Sequence, residues 1–100
     1  MSRKESGMEL YGYCPCKKCC GPNFNGVTVC GKKLTKEDEF KLCAAPKIFK
    51  CGIKLKIPCL NRDLVVMDRC VDTTGKKIGI FFWTHDSAMR FGRKKCQISY

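Results

Sequence analysis

The 100-residue sequence contains no apolar run near the roughly 20 residues that a membrane-crossing helix needs. Its opening, MSRKESGMELYGY, carries positive charge but neither an apolar stretch nor a small-residue cleavage site. No signal peptide is visible, and no membrane insertion is expected. Histidine is nearly absent, with His85 the sole example, which removes every ligand set or catalytic relay built on two imidazoles. Neither type of glycine-rich phosphate loop occurs. There is no internal repeat and no low-complexity linker. Acids are scarce, 9 against 20 Lys and Arg.

What is present follows from those absences. One hundred residues form one domain, whose core hides roughly two-thirds of the chain's surface. Hydrophobic residues make up 44%, too many for a disordered tail. The net charge of +11 predicts attraction to polyanions such as nucleic acid, anionic wall polymers or an acidic protein surface. The basic residues are dispersed (Lys17, Lys18, Lys32, Lys33, Lys54, Lys56, Lys76, Lys77 and Arg93 to Lys95), as on a solvated surface.

Ten cysteines mark a disulfide scaffold: Cys14, Cys16, Cys19, Cys20, Cys30, Cys43, Cys51, Cys59, Cys70 and Cys96. Disulfides require an oxidising compartment. Zinc is the competing use, and it normally needs two separated pairs of Cys or His. Cys16 and Cys19 form one CxxC, but no second pair completes it. The spacing therefore favours disulfides, with no metal or other cofactor expected. Connectivity stays open, because ten cysteines admit on the order of a thousand pairings.

The apolar pattern predicts a mainly β fold. Residues 1–10 read as a flexible N-terminal segment, with a first strand over Met8 to Tyr13. Val27 to Val29 reads as a short strand, and residues 34–40 as a helical turn or loop. Ile53 to Ile57 alternates apolar and basic side chains, the mark of a half-buried strand. Leu64 to Met67, Ile78 to Trp83 and Lys95 to Tyr100 complete six strands. One short helix is expected near 85–92, capped by Thr84 or Asp86 and ended by Gly92. So small a sheet protects its edges best by closing into a barrel.

Several blocks in one register resemble the three-aspartate (3D) domain of Gram-positive bacteria and their phages. They are Tyr13-Cys14-Pro15-Cys16-x-x-Cys19-Cys20-Gly21, Gly26-Val27-Thr28-x-x-Gly31-Lys32, Ala45-Pro46, Gly52-x-Lys54-Leu55-x-Ile57, Val66-Met67-Asp68, Ile80-Phe81-Phe82 and His85 to Arg93. The likeness spans residues 11–100. It implies a six-stranded double-psi β-barrel related to lytic transglycosylases, expansins and barwin, with wall polysaccharide bound in a groove.

The resemblance also locates the family's three aspartates. The first corresponds to Ala45, the second to Asp68, which is kept, and the third to Gly79. In the lytic enzymes the third is the general acid/base, and neither glycine nor alanine can carry a proton. The Thr-Gly-Gly that follows the second aspartate in the family is replaced here by Arg69-Cys70-Val71. Asp63, Asp72 and Asp86 are the remaining acids nearby; Asp72 reads as a turn residue. Asp68 is expected to pair with a basic side chain or to accept backbone hydrogen bonds. It is the residual catalytic candidate.

His85 reads as a helix-start residue rather than half of a Cys–His nucleophile pair. Phe81, Phe82 and Trp83 are either core or a stacking platform. The expected binding residues are Asp68, Arg69, Lys54, Lys56 and Trp83. The chain therefore reads as a non-catalytic, disulfide-stabilised basic barrel, a structural or binding module of a virion or an extracellular, oxidising setting. Its expected partners are other virion or wall-associated proteins and an anionic polymer: peptidoglycan, teichoic acid or nucleic acid. The alternatives are a peptidoglycan-cleaving enzyme working through Asp68 and a charge-driven polymer-binding module.

Overall fold

A computed structural model describes residues 4–14, 27–69 and 76–100. Six strands and one helix follow in order: β1 (Lys4–Tyr13), β2 (Leu42–Ala45), β3 (Lys54–Ile57), β4 (Arg62–Arg69), β5 (Lys77–Phe81), α1 (His85–Phe91) and β6 (Arg93–Ser99). The strands pair in the cyclic order β1-β5-β2-β4-β3-β6, so the sheet closes on itself and leaves no long free edge. Two pairs are parallel, β1 with β5 and β2 with β4. The other four are antiparallel.

Side-chain alternation fills the interior. Leu55 and Ile57 of β3, Leu64 and Val66 of β4, Ile78 and Ile80 of β5 and Ile98 of β6 are each at most 1% exposed. Burying such a side chain contributes about 1.5–3 kcal/mol, which makes this shared cluster the main source of stability. The intervening Lys54 and Lys56 stay exposed, as the alternation predicts.

A second, smaller cluster lies on the outer face of β1, β2 and β5. Tyr13, Leu42, Ala44 and Phe81 pack there against Leu34 from the segment joining β1 to β2. That segment is tethered by the Cys30–Cys51 disulfide, and Cys59–Cys96 ties the turn after β3 to β6. Closing loops of 21 and 37 residues, these bonds contribute about 3–4 kcal/mol each through chain entropy. Both point to an oxidising environment for the folded chain.

The helix forms as its sequence directs. Thr84 caps it by accepting a hydrogen bond from the Ser87 N–H at 3.2 Å. Gly92 ends it at φ +71, a conformation that suits glycine. α1 rests on β1 at Gly12, where a Cβ atom would come within 2.9 Å of the Ala88 Cα and closer still to its carbonyl oxygen. Only glycine allows this approach. No helix among the described residues is long and apolar enough to cross a membrane.

Two expectations need correction. β1 begins at Lys4, so residues 4–10 are strand rather than a flexible segment; a bulge between Glu5 and Met8 carries Gly7 at φ +71. Val27 to Val29 forms no strand: Val27 makes one isolated bridge to Lys33, and a turn through Gly31 occupies the residues between. The strand in its place is Leu42–Ala45, buried on both faces, with no alternation to betray it.

Candidate functional site

The three positions that the sequence comparison singles out lie on adjacent strands. Ala44 of β2 stands opposite Asp68 of β4 on one side and Gly79 of β5 on the other, and Gly79 stands opposite Tyr11 of β1. Tyr11, Gly79, Ala44 and Asp68 thus form one row across four strands.

Asp68 reaches this row through a bulge. Cys43 pairs with Val66, but Ala44 pairs with Asp68, so Met67 is the extra residue. Without the bulge Asp68 would stand level with Ala45, which is wholly buried in the barrel interior. Asp68 is 8% exposed, and its Oδ1 accepts the N–H of Val29 at 3.0 Å and of Arg69 at 2.8 Å. Of its two expected roles, accepting backbone hydrogen bonds is the one observed. The carboxylate pins the β1–β2 segment to the end of β4.

Gly79 is closed in a different way. A Cβ built there would meet the Tyr11 ring at 3.0 Å, at both Cζ and the hydroxyl oxygen. A side chain at this position would press on the tip of the half-buried Tyr11 ring. Ala45 points into the core and stands level with Arg69 in the β2–β4 ladder. Asp68 is the single carboxylate of the row, where a hydrolase of the two-carboxylate kind needs a pair.

The expected binding residues do not converge. Arg69 donates through Nη2 to the Cys51 Sγ at 3.7 Å, while its Nη1 is buried with no hydrogen-bond partner among the described residues. Lys54 and Lys56 lie on β3, and Lys56 opposes Asp63. Lys56 also borders a shallow cleft of about 400 Å³ with Ile57, Pro58, Asn61, Arg62 and Asp63. Arg62 is already engaged there, donating to the Phe40 carbonyl at 2.7 Å with its guanidinium 3.9 Å above the Phe40 ring.

Trp83 lies in the bend after β5, four residues beyond Gly79. It is 39% exposed and meets Phe81 edge to face at 6.4 Å. Phe81 and Phe82 are core residues. Asp86 bridges to Arg90 one helical turn on.

Asp38 secures the segment that covers the outer cluster. Burial by itself would raise its carboxyl, but the N–H and hydroxyl of Thr35, at 3.0 and 3.1 Å, and the Lys32 ammonium at 3.4 Å hold it below the ordinary value.

The structure also makes a pairing that sequence reasoning missed. His85 does start the helix, but its Nδ1 stands 3.7 Å from the Cys14 Sγ. The two residues are 71 positions apart, and no local signal links them. Cys16, Cys19, Cys20, Cys70 and Asp72 lie outside the described residues. Among those described, no group of three or more Cys, His, Asp or Glu side chains gathers in metal-binding geometry.

No protein-family model matches the chain, and no curated protein matches it.

Proposed function

We propose that the chain is a catalytically silent member of the three-aspartate class of double-psi barrels, working as a disulfide-stapled structural or binding module. The observation that carries this reading is the Tyr11 ring packed over Gly79, where the class holds its general acid. A proton donor is missing there, and a side chain would need the Tyr11 ring to give way by a few tenths of an ångström. Asp68, the one aspartate kept, has Oδ1 committed to two backbone N–H groups. The two interlocked parallel pairs, β1 with β5 and β2 with β4, support the double-psi assignment.

The partner we favour is an anionic surface or polymer. Lys54 and Lys56 on β3 are exposed, as are Lys94 and Lys95 further back along the neighbouring β6, where Arg93 is paired with Glu9. The Lys56 cleft gives such a partner a shallow place to rest. Disulfides, high positive charge and a barrel of phage-like class fit a minor structural component of a virion that oxidises on assembly.

Digestion of purified peptidoglycan tests the silent reading. The wild-type chain should release no anhydro-muropeptides, and their release would overturn it. Gly79→Asp should also stay inactive while losing about 1–3 kcal/mol from the clash with Tyr11. Adding Tyr11→Ala should recover part of that loss. Binding to a polyanion should weaken steeply between low and physiological salt. Salt-independent binding would point to an uncharged ligand instead.

A further inference from the structure

The two disulfides sit in different surroundings. Cys59–Cys96 has one half in the interior cluster, and among the described residues no side chain donates a hydrogen bond to either sulfur. Cys30–Cys51 joins a half-buried residue to an exposed one, and the Arg69 Nη2 donates to the Cys51 Sγ at 3.7 Å. We propose that Cys30–Cys51 is a thiol-exchange site, in which a small thiol attacks Cys30 and Arg69 holds Cys51 as the departing thiolate.

The chemistry follows from what each sulfur can accept. A disulfide sulfur is a weak acceptor, whereas a thiolate takes strong, charge-assisted hydrogen bonds. The contact from Arg69 therefore tightens as the S–S bond breaks. The guanidinium is unspent: its Nη1 is buried with no hydrogen-bond partner, and among the described residues it pairs with no carboxylate. Asp68, the acid beside it in sequence, gives its Oδ1 to the N–H groups of Val29 and Arg69. A cation so placed lowers the pKa of the leaving thiol, and the better leaving group departs faster.

In the first step the electron pair of the attacking thiolate forms a bond to the Cys30 sulfur. The Cys30–Cys51 bond breaks, and its electron pair leaves on Cys51. A second thiolate then attacks the thiol sulfur bound to Cys30. That step releases Cys30 as a thiolate, and the small thiol is oxidised to its own disulfide. The two thiolates of the protein take protons from water. Opening also frees a strap. The turn at 28–32 closes on itself through Thr28, and the disulfide and the Val29 hydrogen bond to Asp68 tie it to the barrel. Beyond it, Leu34 covers the outer cluster.

The test treats the full oxidised chain with glutathione, quenches samples by alkylation and maps the labelled peptides. Cys30–Cys51 should open at least about tenfold faster than Cys59–Cys96. Early samples should carry glutathione on Cys30 and the alkyl label on Cys51. Arg69→Gln should slow this opening about three- to tenfold, and Arg69→Lys, which keeps the charge, should fall between it and wild type. The rate at Cys59–Cys96 should not change in either variant, which separates loss of the cation from loss of the fold. Hydrogen exchange at Val29 and Gly31 should quicken once the bond is open, while the amides of β3 and β4 stay protected. Equal rates at the two disulfides, glutathione on Cys51 in place of Cys30, or an Arg69→Gln rate matching wild type would each overturn the proposal. None of these results depends on the peptidoglycan assay.

Discussion

The row from Tyr11 to Asp68 and the corner at Cys14 and His85 both carry residue types that perform chemistry, yet they are built oppositely. In the row every opening is closed. A ring covers Gly79, Ala44 is packed, and the Asp68 Oδ1 is used twice by the backbone. At the corner, the Cys14 sulfur and the His85 Nδ1 meet at 3.7 Å beside the apolar interior. The difference shows that the presence of a carboxylate or an imidazole decides little. What decides is whether the surrounding packing leaves the donor atoms a common point at which to meet.

The largest expected effect comes from Gly12→Ala, which drives a methyl group into the Ala88 backbone. The helix must lift, so we expect a loss of about 3 kcal/mol or more in denaturant unfolding. The row, held by β-ladders, should keep its geometry. Replacing both Cys30 and Cys51 with serine comes next. It should cost about 3 kcal/mol, lowering Tm by roughly 12–24 °C in a thermal melt.

Asp68→Ala strands the N–H groups of Val29 and Arg69 and should cost about 1–3 kcal/mol. Asp68→Asn, which keeps an acceptor oxygen, should cost less. Thermal melts of the pair separate hydrogen bonding from charge. Equal, negligible losses in both would mean that Asp68 does not hold the segment.

The smallest effect is a pH dependence. Because the folded-state carboxyl of Asp38 lies below its ordinary value, its contribution is fully present above the unfolded value of about 3.9. It is lost as pH falls through the lower folded value. Urea midpoints measured between about pH 5 and pH 2 should fall less steeply in Asp38→Asn than in wild type. Identical slopes would assign acid sensitivity to other groups.

Local patterns were legible where the forces are local. Thr84, Ser87 and Gly92 lie within one short helix, so capping and termination could be read directly. The Lys54 and Lys56 alternation predicted β3, because one face of that strand meets water and the other does not. Leu42 to Ala45 gave no such signal, since neighbours bury both faces. Val27 to Val29 has strand-forming side chains, but it is held in a turn by the Cys30–Cys51 tether and by the Asp68 carboxylate. The position of Asp68 was illegible for a simple reason. Side-chain parity places it in the interior, and one extra residue in β4 reverses that parity.

The sequence by itself determined a basic, cysteine-rich β domain with one capped helix, because charge, thiol count and short-range periodicity do not depend on partners. Only the tertiary structure decided which strands meet, that Tyr11 fills the space beside Gly79, and that Cys14 stands against His85. Those facts join residues tens of positions apart. They arise when the sheet closes and its packing selects one register, and no window of neighbouring residues records that choice.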